Sequence, residues 1–211
     1  MRIGLLLFEG VDLLDFGGPY EVFLTANRLL NRLGDQRSLE VRSLTLGGAP
    51  VTAYGGVGLI PDGALDPSSE LDVLVVPGAI AISDVIADDE LVDAVRAAAA
   101  RTGIVASVCT GAFLLGAAGL LRDRPWTTHF EDIDLLAARI GGAGATRDVQ
   151  WVDSGEIVTA GGLSAGIAAA LHLVDRLFGR DLAQATARQI EYAWHPESGR
   201  STPLADGSPA G

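Results

Sequence analysis

The stretch from Gly103 to Gly116, GIVASVCTGAFLLG, leaves this chain little freedom in how it can fold. Residues 104–108 are a run of β-branched and small apolar residues, which predicts a fully buried strand. Residues 110–121 contain no helix breaker but glycine and are apolar on every side, which predicts a buried helix. Cys109 falls on the junction, with Ser107 two residues before it and Gly111 two after. That is the small-x-nucleophile-x-small spacing of a nucleophile elbow, a strand-to-helix turn so sharp that its neighbours must be small. The first helical N–H groups and the helix dipole are expected to favour a thiolate there. A lone cysteine is usually a small buried hydrophobe. The strand–Cys–helix context marks this one as reactive.

Cys109 is the only cysteine, so no internal disulfide is possible, and a free thiol fits a reducing, cytoplasmic setting. At 211 residues, 48% hydrophobic and 20% charged, the chain reads as one globular domain over residues 1–195, with residues 196–211 as a loose C-terminal tail. No apolar run approaches the roughly 18–20 residues of a membrane span. The N-terminal apolar run is too short for a signal peptide and reads as a first strand. The net charge of −12 repels phosphate backbones and argues against a nucleic-acid partner. Three scattered histidines and one cysteine give no metal-ligand spacing, so no metal is expected.

In chain order, residues 2–8 predict a strand. Pro19, suited to a helix's first turn, opens a helix that Gly34 closes, with Asp15 in the loop before it. Residues 39–46 alternate as a strand, and 51–54 and 57–60 flank Gly55-Gly56 as a hairpin. A turn at 66–70 precedes an apolar strand over 71–76 that ends at Pro77-Gly78. A helix over 88–101 carries Asp88, Asp89 and Glu90 at its positive end. After the central segment come a helix over 131–140, a hairpin of 150–153 with 156–159, and helices to Phe178 and over 181–192. Gly161-Gly162 matches neither a P-loop nor a dinucleotide fingerprint and reads as the approach to a helix. Strands alternating with helices predict a three-layer α/β sandwich: a mainly parallel sheet with helices on both faces. Ligands then bind beyond the carboxyl ends of the strands, where Cys109, Gly78 and Asp15 meet.

Five stretches carry a family resemblance: Asp15-Phe-Gly-Gly-Pro-Tyr-Glu21-Val-Phe, Val73-Leu-Val-Val-Pro-Gly78, Ser107-Val-Cys-Thr-Gly-Ala-Phe-Leu-Leu-Gly116, Thr127-Thr-His129, and Val158-Thr-Ala-Gly-Gly-Leu-Ser-Ala-Gly166. On these the chain resembles the DJ-1/PfpI superfamily, of the class I glutamine amidotransferase-like, flavodoxin-like fold, and within it the isonitrile hydratase branch. The resemblance implies a cofactor-independent enzyme acting on a small molecule, and a homodimer. It implies Cys109 as nucleophile, Asp15 as acid and base, and the N–H groups of Thr110 and of Gly78 or Ala79 as oxyanion donors. Ala79 stands where many members have a second glycine. Pro125-Trp126 before Thr-Thr-His and Phe130 after it also depart from the branch.

His129 lies near where other members carry a histidine, and reads as a structural residue behind the site or as a base for the thiol. Glu21 reads equally as a pocket residue or as an exposed helix glutamate. His172 reads as a helix residue with a satisfied ring. Rival readings are a glyoxalase- or deglycase-like enzyme on small aldehydes, a protease or amidase with an essential His129, and a cysteine-based ligand or redox sensor. Regulators that join this fold to a helix-turn-helix domain need roughly another hundred residues.

Overall fold

The computed structural model describes residues 1–66, 68–142 and 144–201. The first half runs β1 (Arg2–Leu7), α1 (Leu13–Leu33), β2 (Glu40–Thr45), β3 (Val51–Thr52), β4 (Gly58–Leu59), β5 (Gly63–Ala64), β6 (Leu71–Val76), α2 (Ile82–Val85) and α3 (Asp89–Ala99). The second runs β7 (Thr102–Ser107), α4 (Gly111–Ala117), α5 (Ile133–Ile140), β8 (Trp151–Asp153), β9 (Ile157–Ala160), α6 (Ala165–Phe178), α7 (Arg180–Gln189) and β10 (Arg200–Ser201). The main sheet has the order β10-β8-β9-β7-β6-β1-β2-β5. Its neighbouring strands are parallel except β8 with β9.

One register row crosses five strands through Ser43, Leu5, Val75, Ala106 and Val158, all of them buried. Burial on both faces explains why β1, β6, β7 and β9 are mostly apolar, while β2, near the sheet edge, is mixed. Helices α1, α6 and α7 pack together, and α3 and α5 pack against α4 as a separate group. Among the long parallel strands the order is second, first, third, fourth, fifth, the doubly wound arrangement whose ligands sit where the winding direction reverses. That point lies between β1 and β6. The hairpin forms as expected, with Gly55 and Gly56 both at positive φ between β3 and β4.

Four boundaries depart from the sequence reading; the plainest is α7, which stops at Gln189 and not at 192 because Glu191 turns to φ +53°. Helix α1 begins at Leu13, six residues before Pro19, with Asp12 as its cap. Asp15 therefore lies in the first helical turn and not in a loop. A proline inside a helix costs about 3 kcal/mol. Close packing onto α6 offsets it: a Cβ on Gly18 would meet Ile167 Cγ1 at 2.9 Å, and one on Gly166 would meet Pro19 Cγ at 3.4 Å. Helix α4 stops at Ala117 because Gly119 turns to φ +79°, with Gly119 N–H bonded to Gly116 O and Leu120 N–H to Leu115 O. That pattern of paired bonds closes a helix.

The fourth departure is the tail, whose residues 196–201 are folded onto the sheet. Arg200 and Ser201 pair in parallel with β8, and Ser198 Oγ bonds Gln150 Oε1 at 2.5 Å. Residues 202–211 of the expected tail, and Pro67 of the expected turn, lie outside the described residues. His172 is satisfied as read, bonded to Asp153 at 2.7 Å and stacked on Trp151. No helix among the described residues is long and apolar enough to cross a membrane.

Candidate active site

The elbow is held open by backbone geometry. Cys109 takes φ +54°, a left-handed conformation that costs a non-glycine residue about 1–3 kcal/mol. Its N–H donates to both Ala160 O and Gly161 O, at 3.2 and 2.9 Å. Its carbonyl accepts the Thr128 hydroxyl at 2.7 Å. These bonds fix the strained residue from two sides. Gly111 must be glycine: a Cβ there would lie 2.2 Å from Val76 O. The small residue that the sequence placed two after the cysteine thus serves close passage of β6.

Four strand ends bring the site together. From α1, just after β1, comes Asp15, fully buried. Its Oδ2 accepts Gly78 N–H, beyond β6, at 3.0 Å, and its Oδ1 accepts Leu163 N–H, beyond β9, at 3.1 Å. Beyond β7 stands Cys109, whose thiol contacts the Asp15 carboxylate. Burial, followed by the charge of Asp12, pushes the Asp15 carboxyl up to about 7, against the two N–H bonds and the thiol contact. Burial, followed by the Asp15 charge, pushes the Cys109 thiol up to about 12, although the N–H groups of Thr110 and Leu163 face the sulfur. Desolvation and the neighbouring carboxylate thus oppose the thiolate expected from the elbow, and two backbone dipoles favour it.

The oxyanion donors expected at Gly78 and Ala79 are occupied as well. Gly78 N–H is bound to Asp15, while Ala79 N–H donates to Thr110 Oγ1 at 2.9 Å. The Thr110 hydroxyl in turn donates to Ala79 O at 2.8 Å. Thr110 thus clamps the loop after β6 through its side chain and faces the sulfur with its N–H. A Cβ on Gly78 would fall 2.5 Å from Thr110 Oγ1 and 2.8 Å from Asp15 Oδ2, so this glycine permits the close approach of both.

A cavity of about 250 Å³ opens beside the thiol, lined by Cys109, Thr110, Ala79, Ile80, Ile82 and Leu163, with Asp12, His129, Glu131 and Asp132 also on its wall. It is at the small end of ligand cavities, and its apolar side suits a small organic group. His129 sets the Cδ2 edge of its ring against Gly162, where a Cβ would meet that atom at 2.3 Å. Its Nδ1 faces Asp132 at 3.4 Å. Among the described residues no hydrogen bond joins His129 to Cys109 or Asp15, although His129 and Cys109 line the same cavity. Glu21 is not in the cavity wall; it is exposed on α1 and accepts the Thr25 hydroxyl at 3.0 Å. Among the described residues no group of three or more His, Cys, Asp or Glu is placed to hold a metal ion.

The sequence reading missed Asp12 and Leu163. Asp12 carried a helix-cap signal, hidden once Pro19 was taken as the helix start. Leu163 acts through its backbone at φ +52°, which no side-chain pattern advertises.

Comparison with known proteins gives this arrangement its class. The chain belongs to the DJ-1/PfpI family, which it matches over residues 1–176. It is 37% identical over 209 residues to the isonitrile hydratase of Pseudomonas putida, covering 99% of this chain and 83% of that protein. A crystal structure of a THiJ/PfpI family protein from Pseudomonas syringae superposes with a TM-score of 0.79 at 26% identity, covering 98% of this chain and 78% of the other. The chain is also 26% identical over 190 residues to the HTH-type transcriptional regulator GbdR of Pseudomonas aeruginosa, covering 90% of this chain and 50% of the regulator. Its relatives thus include both an enzyme and a regulator.

Proposed function

We propose that this protein hydrates an isonitrile, R–NC, to the N-substituted formamide, with Cys109 as nucleophile and Asp15 as proton carrier. The observation that carries the reading is the buried Asp15 carboxyl, pushed up to about 7, in contact with the Cys109 thiol, with no histidine bonded to either among the described residues. A base poised near the working pH is what a proton shuttle requires. The similarity to isonitrile hydratase supports the same chemistry.

The steps follow from the geometry. Ionised Asp15 takes the thiol proton as the sulfur bonds to the isonitrile carbon, then delivers that proton to the same carbon, giving the thioimidate Cys109–S–CH=N–R. Water adds to this carbon, Asp15 removing its proton and passing it to nitrogen. The resulting carbon bears H, OH, NHR and sulfur. Its C–S bond breaks, the hydroxyl proton returns to the sulfur through Asp15, and R–NH–CHO leaves. The N–H groups of Thr110 and Leu163 stabilise the departing thiolate. The first addition develops no charge on oxygen, so occupied donors at Gly78 and Ala79 do not impede it. The substituent R lies on Ile80, Ile82 and Leu163. No step requires a cofactor.

Turnover of cyclohexyl isocyanide by wild type, Cys109→Ala and Asp15→Asn, with formamide followed by chromatography, tests the proposal. Formamide is expected from wild type, with rates about 10²–10⁴-fold lower in the variants. A folded wild type that forms no product overturns the reading in favour of aldehyde chemistry or a cysteine-based sensor.

A further inference from the structure

The sequence pairs the acid at Asp15 with a second carboxylate three residues earlier; the fold buries Asp15 behind Cys109 and sets Asp12 on the cavity wall. Asp12 caps α1, its Oδ1 accepting Leu14 N–H at 3.1 Å, while its own N–H donates to Gly78 O at 2.9 Å. Its carboxylate is thereby fixed between the first turn of α1 and the loop after β6. It lines the same cavity as Cys109 and is half-buried. Residues three apart lie on one helix face, so Asp12 and Asp15 are neighbours.

We propose that Asp12 is a positioning residue whose charge sets the pH range over which Asp15 exchanges its proton with Cys109. This rests on the reading of Asp15 as the proton carrier. Besides Asp12, the groups that act on Asp15 are two backbone donors and the thiol. From β6 and β9 come only N–H dipoles, Gly78 and Leu163, which favour the ionised carboxyl. From β7 comes the neutral thiol. On the cavity wall with Asp12 stand His129, Glu131 and Asp132, the histidine Nδ1 turned toward Glu131 and Asp132. Among the described residues Asp12 has no cationic side-chain partner, so only backbone dipoles at the start of α1 balance its charge. Asp12 raises the proton affinity of both Asp15 and Cys109. A helix cap alone does not need that charge, since Asn and Ser cap as well as Asp.

That equivalence separates the two roles. Cys109 is the only cysteine, so its alkylation by iodoacetamide reports on the site without reference to turnover. The alkylation rate of wild type is expected to rise through an inflection near pH 7, where Asp15 becomes able to accept the thiol proton. In Asp12→Asn and Asp12→Ser the inflection moves to lower pH by about half a unit, while Asp12→Glu stays near wild type. The acid limb of kcat/KM moves with it. An unmoved inflection in either folded, cap-preserving variant overturns the proposal. So does failure of both to fold, which makes Asp12 structural only. A shifted inflection in a protein that does not turn over isonitriles leaves this inference standing and removes the hydratase.

Discussion

Asp15 costs the folded protein stability for the same reason that it suits proton transfer. Its carboxyl titrates at about 7 when folded and at 3.8 in the reference state. The folded form therefore binds more protons between these values, and stability falls as pH rises through that window. The full effect is on the order of 4 kcal/mol. Asp15→Asn removes the titration but sets an amide NH₂ against one of the N–H donors of Gly78 and Leu163, a penalty of about 1–3 kcal/mol at every pH. Denaturant unfolding at pH 4 and pH 8 is expected to show the variant less stable at pH 4. The difference then moves toward the variant by up to about 4 kcal/mol at pH 8. A difference that holds constant means that burial does not raise this carboxyl. Cys109 was legible in the sequence because an elbow is a local pattern; Asp15, which alone reads as a turn or cap residue, was marked only by the family resemblance. The occupation of Ala79 N–H was not legible, since its partner, the Thr110 hydroxyl, lies 31 residues away.

Elements were legible where one pattern decided them and were misread where two competed. The elbow needed only small neighbours, and the β3–β4 hairpin only its two glycines. The start of α1 set a proline signal against the Asp12 cap, and packing on α6 decided for the cap. The tail shows the same conflict. Pro, Ser and Gly read as loose chain, yet Gly199 is what allows residues 196–201 to dock. A Cβ there would lie 2.0 Å from the Trp151 ring, whose other neighbour is His172 at 3.6 Å between centroids. Gly199→Ala is therefore expected to lift the segment off β8 at a cost of about 1–3 kcal/mol. The buried Trp151 ring then meets water, and tryptophan emission shifts to the red. Turnover stays near wild type, because β8 and β10 form the sheet edge beyond β9 and supply no cavity residue. Unchanged emission and stability would show that the tail does not depend on this contact.

For the whole molecule the decisive quantity is charge. Each copy brings a net −12, so the homodimer implied by the family resemblance must form against long-range repulsion. Apolar surface is available for it: Leu13, Leu14, Ile80 and Leu163 are exposed on segments that follow the carboxyl ends of the strands, and Phe130 is exposed just before α5. Apolar association between like-charged copies strengthens as salt screens the repulsion, whose range falls from about 30 Å at 0.01 M to about 8 Å at 0.15 M. Light scattering at 0.15 M salt is expected to give twice the chain mass of 21.8 kDa. At 0.01 M salt and low protein concentration the average mass falls toward the monomer. A single-chain mass at every salt and protein concentration sinks the dimer. A dimer that salt weakens is instead held by ion pairs, and the apolar edge would then be free to serve only the cavity mouth.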